Sequence, residues 1–445
     1  MPTPNIKLRN IVWSVLMIGT YFTMLHLLQR EAFLLYFSLF SAAFLFHLYP
    51  VSGWSQYSKP ILYIAIGFFI RLMAVSAFPS LSEDIYRYLW DGYLSQVGIS
   101  PYAFTPEECV QFFSREEHPL IHSLFPSLNS ATYYSVYPPA AQTFFSFGGW
   151  LAASWGIPTA VTGLKSLFLL VELGGWYFVY QLFKTQNIDQ RWFWALWLNP
   201  LLILEWNYSG HIESLATTFL IMSVFMMKMR KNYLSGVLLA FAILVKLWPL
   251  IFAPFFIKYI NSRSEIFRWI LAFTFTVVLG SISLFLQLDY FLHFRSSLDL
   301  YFRTFEFNAS IYYLFRAIGT WWWGYNPIHI LGPVCTIIMA GISIWLYLSK
   351  KVLEIQHLID TIIISGIVYL LFATTVHPWY LSMLIPFAYI NGRWSIILWS
   401  YLIFASYHAY RYIPTTENYS ILIFSYCVII PALIIDWKVF KRVQF

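Results

Sequence analysis

The run Ser82-Glu-Asp-Ile-Tyr-Arg-Tyr-Leu-Trp-Asp-Gly92 gathers three acids and an arginine within eleven residues. As a helix it sets Asp84, Arg87, Tyr88 and Asp91 at i, i+3, i+4 and i+7 on one face, with Ser82 as the N-cap. A carboxylate so placed can act as a general base on a sugar hydroxyl, which needs a correctly oriented acceptor more than an unusual sequence. The plainer alternative is a capped surface helix carrying an Arg87–Asp91 ion pair. A second group, Glu205, His211 and Glu213, falls at the end of the stretch 199–213. His211 and Glu213 are two apart, so a helix would not put them on one face, and the pair alone offers too few ligands for a metal. A polar hairpin turn is the alternative there.

Arg71, Lys165, Glu172, Lys246 and His377 lie within or at the ends of apolar stretches, where charge is costly without a polar cavity or a partner. Lys246-Leu-Trp-Pro249 and His377-Pro-Trp-Tyr380 sit near a membrane boundary, a depth at which a lipid phosphate would be a fitting counter-charge. Snorkelling of Lys246, or a turn before proline at His377, would account for them without a ligand. Further on, Arg295, Arg303, Glu306, Asn308, Ser310, Tyr312 and Arg316 cluster in one polar segment, and 307–313 reads as a helix start that could cover a cavity. Trp321-Trp-Trp323 reads as an interfacial belt.

The elements that must position these groups follow from composition. Of 445 residues, 11% are charged, 59% hydrophobic and 21% aromatic, against roughly 25% charged in a soluble domain. A soluble enzyme is thereby excluded, and an all-α polytopic membrane protein of about 12–14 transmembrane helices is expected. The net charge of +7 would suggest nucleic acid in a soluble protein. Here the basic residues concentrate in short loops that the positive-inside rule assigns to the cytoplasm, together with both termini. The three cysteines form no CxxC pair and join no cluster with histidine. Neither a nucleotide-phosphate loop nor a hydrolase elbow occurs. The charge bias leaves two long segments on the outer face, 79–160, with the Asp84 helix, and 288–326. Long structured loops on one face commonly carry function. The apolar stretch 139–156 is assigned to a surface or re-entrant outer helix, because a full span would turn Lys184 and Arg191 outward. With no repeat or linker, residues 1–445 read as a single transmembrane domain.

At these motifs the sequence resembles the integral-membrane GT-C glycosyltransferases that use polyprenyl-phosphate sugars, in particular the bacterial polyprenol-phosphate-mannose-dependent mannosyltransferases. The matching pieces are 83–92, Gly98-Ile-Ser-Pro-Tyr102, Tyr137-Pro-Pro139 with Gln142, Gly210-His-Ile-Glu213, Lys246-Leu-Trp-Pro249, Asn308-Ala-Ser-Ile-Tyr312 and His377-Pro-Trp-Tyr380, in the family's order. The resemblance implies an inverting single displacement on the outer face, moving a hexose, most readily mannose, from a polyprenyl-phosphate donor to a glycolipid or glycan hydroxyl. It implies Asp84 as the base, and Lys246, His377 and Arg71 as groups that stabilise the departing phosphate. Glu83, Arg87, Asp91, Tyr137, His211, Glu213, Asn308, Tyr312, Trp379 and Tyr380 are the implied sugar or acceptor contacts. The family often has Asp two residues after the histidine of the glycine-histidine motif, where this chain has Glu213. A lipid monophosphate leaving group can be offset by cationic side chains, so no metal or other cofactor is expected, and no nucleic-acid partner. The compact chain lacks a retrieval signal, which points to a bacterial inner membrane with the site facing the periplasm. Two other classes stay in view. A lipid-linked glycan flippase would show internal repeats and midplane charge. An O-antigen ligase or polymerase type would depend on outer arginines such as Arg295 and Arg303.

Overall fold

The computed structural model describes residues 4–55, 58–412 and 415–443; the chain ends, on which the orientation of the termini turns, lie outside them. The protein is all-α and polytopic in the membrane. Among the described residues the one bridge between extended segments joins Phe307 to Thr375. Among the described residues seven helices are long and apolar enough to cross a bilayer, or eight if the bent pair Gln190–Tyr208 and Glu213–Lys228 is one span. Other apolar segments form shorter helices, among them Pro60–Ser76 and Asn232–Val245. At 1.5 Å per residue the latter's 14 residues reach about 21 Å, short of the ~30 Å hydrocarbon core. Fewer single full spans therefore appear than the 12–14 read from the apolar runs. The break expected around Lys246 is present: the helix ends at Val245, Lys246 is extended, and Pro249 starts a short 3-10 turn, Trp248–Phe252.

The chain forms two compact units, each discontinuous in sequence. One comprises Met1–Leu81, Trp176–Gly210 and His377–Phe445; the other comprises Ser82–Gly175 and His211–Val376. In the first, the Trp197 indole donates to the Tyr63 carbonyl at 3.0 Å and the Trp206 indole donates to Ser382 Oγ at 2.8 Å. Both oxygens of the buried Glu205 lie 3.0 Å from the Tyr407 hydroxyl.

The second unit is built around helix Asp84–Gln96. Its neighbour, helix Pro139–Thr185, contains one non-helical residue, Gly156, at φ 83°. That left-handed conformation suits a residue without a Cβ, and Pro158 lies two residues on. The chain turns back here. A Cβ on Gly148 would stand 3.0 Å from Leu164 and one on Gly163 would stand 2.3 Å from Leu151, so the arms on either side of Gly156 pack against each other. The stretch 139–155 is thus one arm of a helical hairpin. It also carries helix 84–96 at backbone contact, because a Cβ on Gly149 would stand 2.1 Å from the Gly92 carbonyl carbon.

The segment 97–138 is fastened to the same helix. Arg87 Nε donates to Asp91 at 2.8 Å, and Arg87 Nη1 donates to the carbonyls of Ser130 and Tyr133 at 3.2 and 3.0 Å. Asp91 also accepts from Ser135 Oγ and, at 3.1 Å, from Gln142. A capping box of Thr105 and Glu108 starts the short helix Pro106–Phe112. Helices Leu288–Arg303 and Ile311–Trp323 make up most of the second polar segment. Their connection is tied to 374–376 by Phe307 N–H to Thr374 O, 3.0 Å, and Val376 N–H to Phe307 O, 2.8 Å.

Candidate active site

Asp84 is the first residue of its helix. The N-cap is Glu83, whose side chain makes no capping bond, whereas Ser82 Oγ accepts the Asp84 N–H at 3.3 Å. Ser82 is therefore not the N-cap the spacing suggested: it precedes that position by one residue and holds the first helical N–H instead. Ser82 Oγ is also 3.1 Å from His211 Nε2, and that nitrogen is 3.8 Å from Asp84 Oδ2.

His211 and Glu213 do reach one site, against the expectation from helical spacing. The helix begins only at Glu213, and His211 precedes it in a turn entered through Gly210 at φ 75°. Glu213 Oε1 lies 2.9 Å from Lys246 Nζ, with 1% of the Glu213 side chain and 23% of the Lys246 side chain exposed. The Lys246 ammonium is 5.8 Å from the centre of the Tyr137 ring. Tyr137 meets Tyr88 edge to face at 5.1 Å, and Tyr88 stacks on Phe145 at 4.3 Å. Trp248, just beyond Lys246, stacks on Tyr369 at 5.2 Å.

The electrostatics separate Asp84 from an ordinary surface acid. Its carboxyl lies deep in the unit although 20% of its side chain remains open. Burial pushes its pKa up from 3.8 to about 6; Lys246 and a hydrogen bond with Asn129 oppose that rise, and Glu213 and Glu83 add to it. Burial holds the Tyr137 and Tyr88 phenols well above their ordinary value, and Asp84 reinforces both shifts. Tyr301, on helix 288–303, is raised by burial and then by Asp84 and Glu213. The spacing of the sequence does not single out Tyr301, which sits in an amphipathic helix far along the chain; only its electrostatic link to Asp84 and Glu213 draws it in. A partly open carboxyl that ionises near neutrality, beside an ammonium and phenolic hydroxyls, can accept a proton from an alcohol and offset a nearby anion.

The other expected site residues are placed as follows. Glu83 adjoins Asp84 and contributes negative charge to it. Arg87 and Asp91 are buried, with 4% and 0% exposure, and are engaged in the brace on segment 130–142. Asn308, at φ 48°, donates from Nδ2 to the Val376 carbonyl at 3.1 Å. The Tyr312 hydroxyl donates to Glu306, which also accepts from Arg316 Nη1 at 2.5 Å and Asn326 at 2.9 Å. Arg71, His377, Trp379 and Tyr380 belong to the first unit. The Arg71 guanidinium lies 3.7 Å from the centre of the Trp197 ring and donates to the carbonyls of Gly67 and Trp197 at 3.2 and 3.0 Å. The His377 ring stacks on Trp379 at 4.2 Å, with Nδ1 3.2 Å from the Tyr410 hydroxyl, and Tyr380 is buried beside it. Among the described residues no group of three or more His, Cys, Asp or Glu side chains is arranged to hold a metal ion.

Residues 72–261 match the family model described as alpha-(1->6)-mannopyranosyltransferase, N-terminal domain. Asp84, Tyr137, His211, Glu213 and Lys246 all fall inside the matched region. No curated protein matches the chain.

Proposed function

We propose that this protein is a mannosyltransferase that takes mannose from a polyprenyl-phosphate donor and passes it, with inversion, to a hydroxyl of a lipid-linked or glycan acceptor on the outer face of a bacterial inner membrane. The observation that carries the reading is Asp84: a partly open carboxyl with a pKa near 6, at the start of a buried helix and beside the Glu213–Lys246 pair. In the reaction the acceptor oxygen attacks the anomeric carbon and Asp84 takes its proton. The bond from the anomeric carbon to the phosphate oxygen breaks, and the lipid phosphate leaves with the electron pair. Lys246, nearly a quarter exposed, is the cation assigned to the departing phosphate, an electrostatic role realised as charge develops. Tyr137 and Tyr301 supply hydroxyls and ring faces for the sugar or acceptor. The outward placement of segments 79–160 and 288–326 rests on the basic residues of the short opposite loops.

The test is transfer of labelled mannose from synthetic polyprenyl-phosphate mannose to a glycolipid extract by purified protein, comparing wild type with Asp84→Asn in the presence of EDTA. Chelator-resistant transfer by the wild type and none by a folded Asp84→Asn is the expected result. Equal transfer by both proteins removes Asp84 as the base.

A further inference from the structure

His211 contacts the Asp84 side of the site rather than an open surface. It is 0% exposed, so a sugar hydroxyl has no surface of the ring to reach. Its Nε2 stands 3.1 Å from Ser82 Oγ and 3.8 Å from Asp84 Oδ2, and Ser82 Oγ accepts the Asp84 N–H at 3.3 Å. Serine, histidine and aspartate therefore close a small triangle around the first turn of helix 84–96. A carboxyl with a fifth of its surface open would otherwise choose among several rotamers.

We propose that His211 is a positioning residue for Asp84: Nε2–H, held at 3.1 Å by Ser82 Oγ and standing 3.8 Å from Oδ2, presents its positive edge to the carboxyl, limits its rotamers and favours its ionised form. This rests on the reading of Asp84 as the base. A nearby N–H dipole or positive charge stabilises the charged form of an acid. The other groups facing Asp84 divide by sign. Lys246 and Asn129 favour the carboxylate, and Glu213 and Glu83 oppose it. The phenols of Tyr88, Tyr137 and Tyr301 stay neutral through the range in which Asp84 titrates, because burial raises all three. His211 thus approaches Asp84 from a buried side, with 0% of the residue exposed.

The experiment is the pH profile of kcat/KM for mannose transfer in wild type, His211→Leu, His211→Gln and Ser82→Ala. Leucine removes the donor, whereas glutamine sets an amide where Nε2 stands. In His211→Leu the acidic limb is expected to move up by about half to one pH unit. Its kcat falls about tenfold, the loss of the donor that orients the base, with KM for the donor within about twofold. His211→Gln returns the limb toward the wild-type position, and Ser82→Ala moves it less, in the same direction as leucine. A raised KM with an unmoved limb makes His211 a substrate contact and overturns the proposal. Equal loss in leucine and glutamine variants, with lowered Tm and an unmoved limb, makes it merely structural and overturns it too. Should His211→Leu not fold, His211→Asn, whose amide reaches only the Nδ1 position, gives the same contrast with glutamine. Wild-type transfer by Asp84→Asn would sink the base reading itself; inactive Asp84→Asn together with an unmoved limb in His211→Leu would sink this inference alone.

Discussion

Transfer should rise steeply with pH between about 5 and 7, because the base that drives it titrates there. Asp84 is raised from 3.8 to about 6. A base of that pKa is about 9% ionised at pH 5, half ionised at pH 6 and about 91% ionised at pH 7, so kcat/KM climbs about tenfold across the interval. An aspartate left at its ordinary value would be about 94% ionised at pH 5 already, and the profile would be flat. Two variants move the limb in opposite directions. Lys246→Met removes the largest opposing influence and shifts it to higher pH, whereas Glu213→Gln removes a neighbouring negative charge and shifts it lower. The assay is initial-rate mannose transfer in mixed micelles, with the limb position read independently of absolute rate. Stability has the reverse sign. The folded-state pKa lies above the unfolded one, so the folded protein holds the extra proton between about pH 4 and pH 6. The contribution of Asp84 to stability is present in full below about pH 4 and is lost as pH rises through 6. A profile flat down to pH 5, or shifts of one sign in both variants, would refute the electrostatic account of Asp84.

Arg87→Met leaves the fully buried Asp91 without its ion-pair partner, and should destabilise the protein by about 3 kcal/mol in thermal unfolding in detergent; a raised acceptor KM at unchanged stability would instead make Arg87 a substrate contact. Gly149→Ala puts a methyl 2.1 Å from the Gly92 backbone and forces helix 84–96 away from the 139–155 arm. A loss of roughly 3 kcal/mol or failure to fold is expected, against about 1 kcal/mol for Gly98→Ser, where open space surrounds the position and only the left-handed backbone opposes a side chain. Arg303→Ala breaks an exposed i,i+4 pair with Asp299, worth under about 0.5 kcal/mol, and should transfer at the wild-type rate. Loss of transfer in Arg303→Ala with activity kept in Asp84→Asn would favour a ligase-type enzyme.

Much of the site was legible because its groups come in short, typed runs. The helix at Asp84 follows from i, i+3, i+4 and i+7 spacing, and the chain break at Lys246 follows from Trp248-Pro249, since proline cannot continue the preceding helix. Where sequence reasoning fell short, the cause was the same each time: spacing describes a residue's own helix but not what packs against it. Arg87 and Asp91 read as an exposed pair or a sugar contact, and it is the folding back of 130–142 that buries them. Helical spacing denied His211 and Glu213 a common face, because the helix boundary between them depends on the turn at Gly210. Tyr301 had no local signal at all.

Composition and charge alone determined that this is an all-α membrane protein, since so few charged side chains cannot cover a soluble fold, and ordered motifs sufficed to suggest its enzyme class. Only the tertiary structure decided which polar residues are structural and which form a reactive group. It bends 139–185 into a hairpin at Gly156 and sets Gly149 against Gly92. It brings Asp84, His211, Glu213 and Lys246 together from three separate stretches of chain. The physical reason is that a carboxyl's pKa and a cation's partner depend on burial and on distances of a few ångströms, which long-range packing sets and local spacing does not.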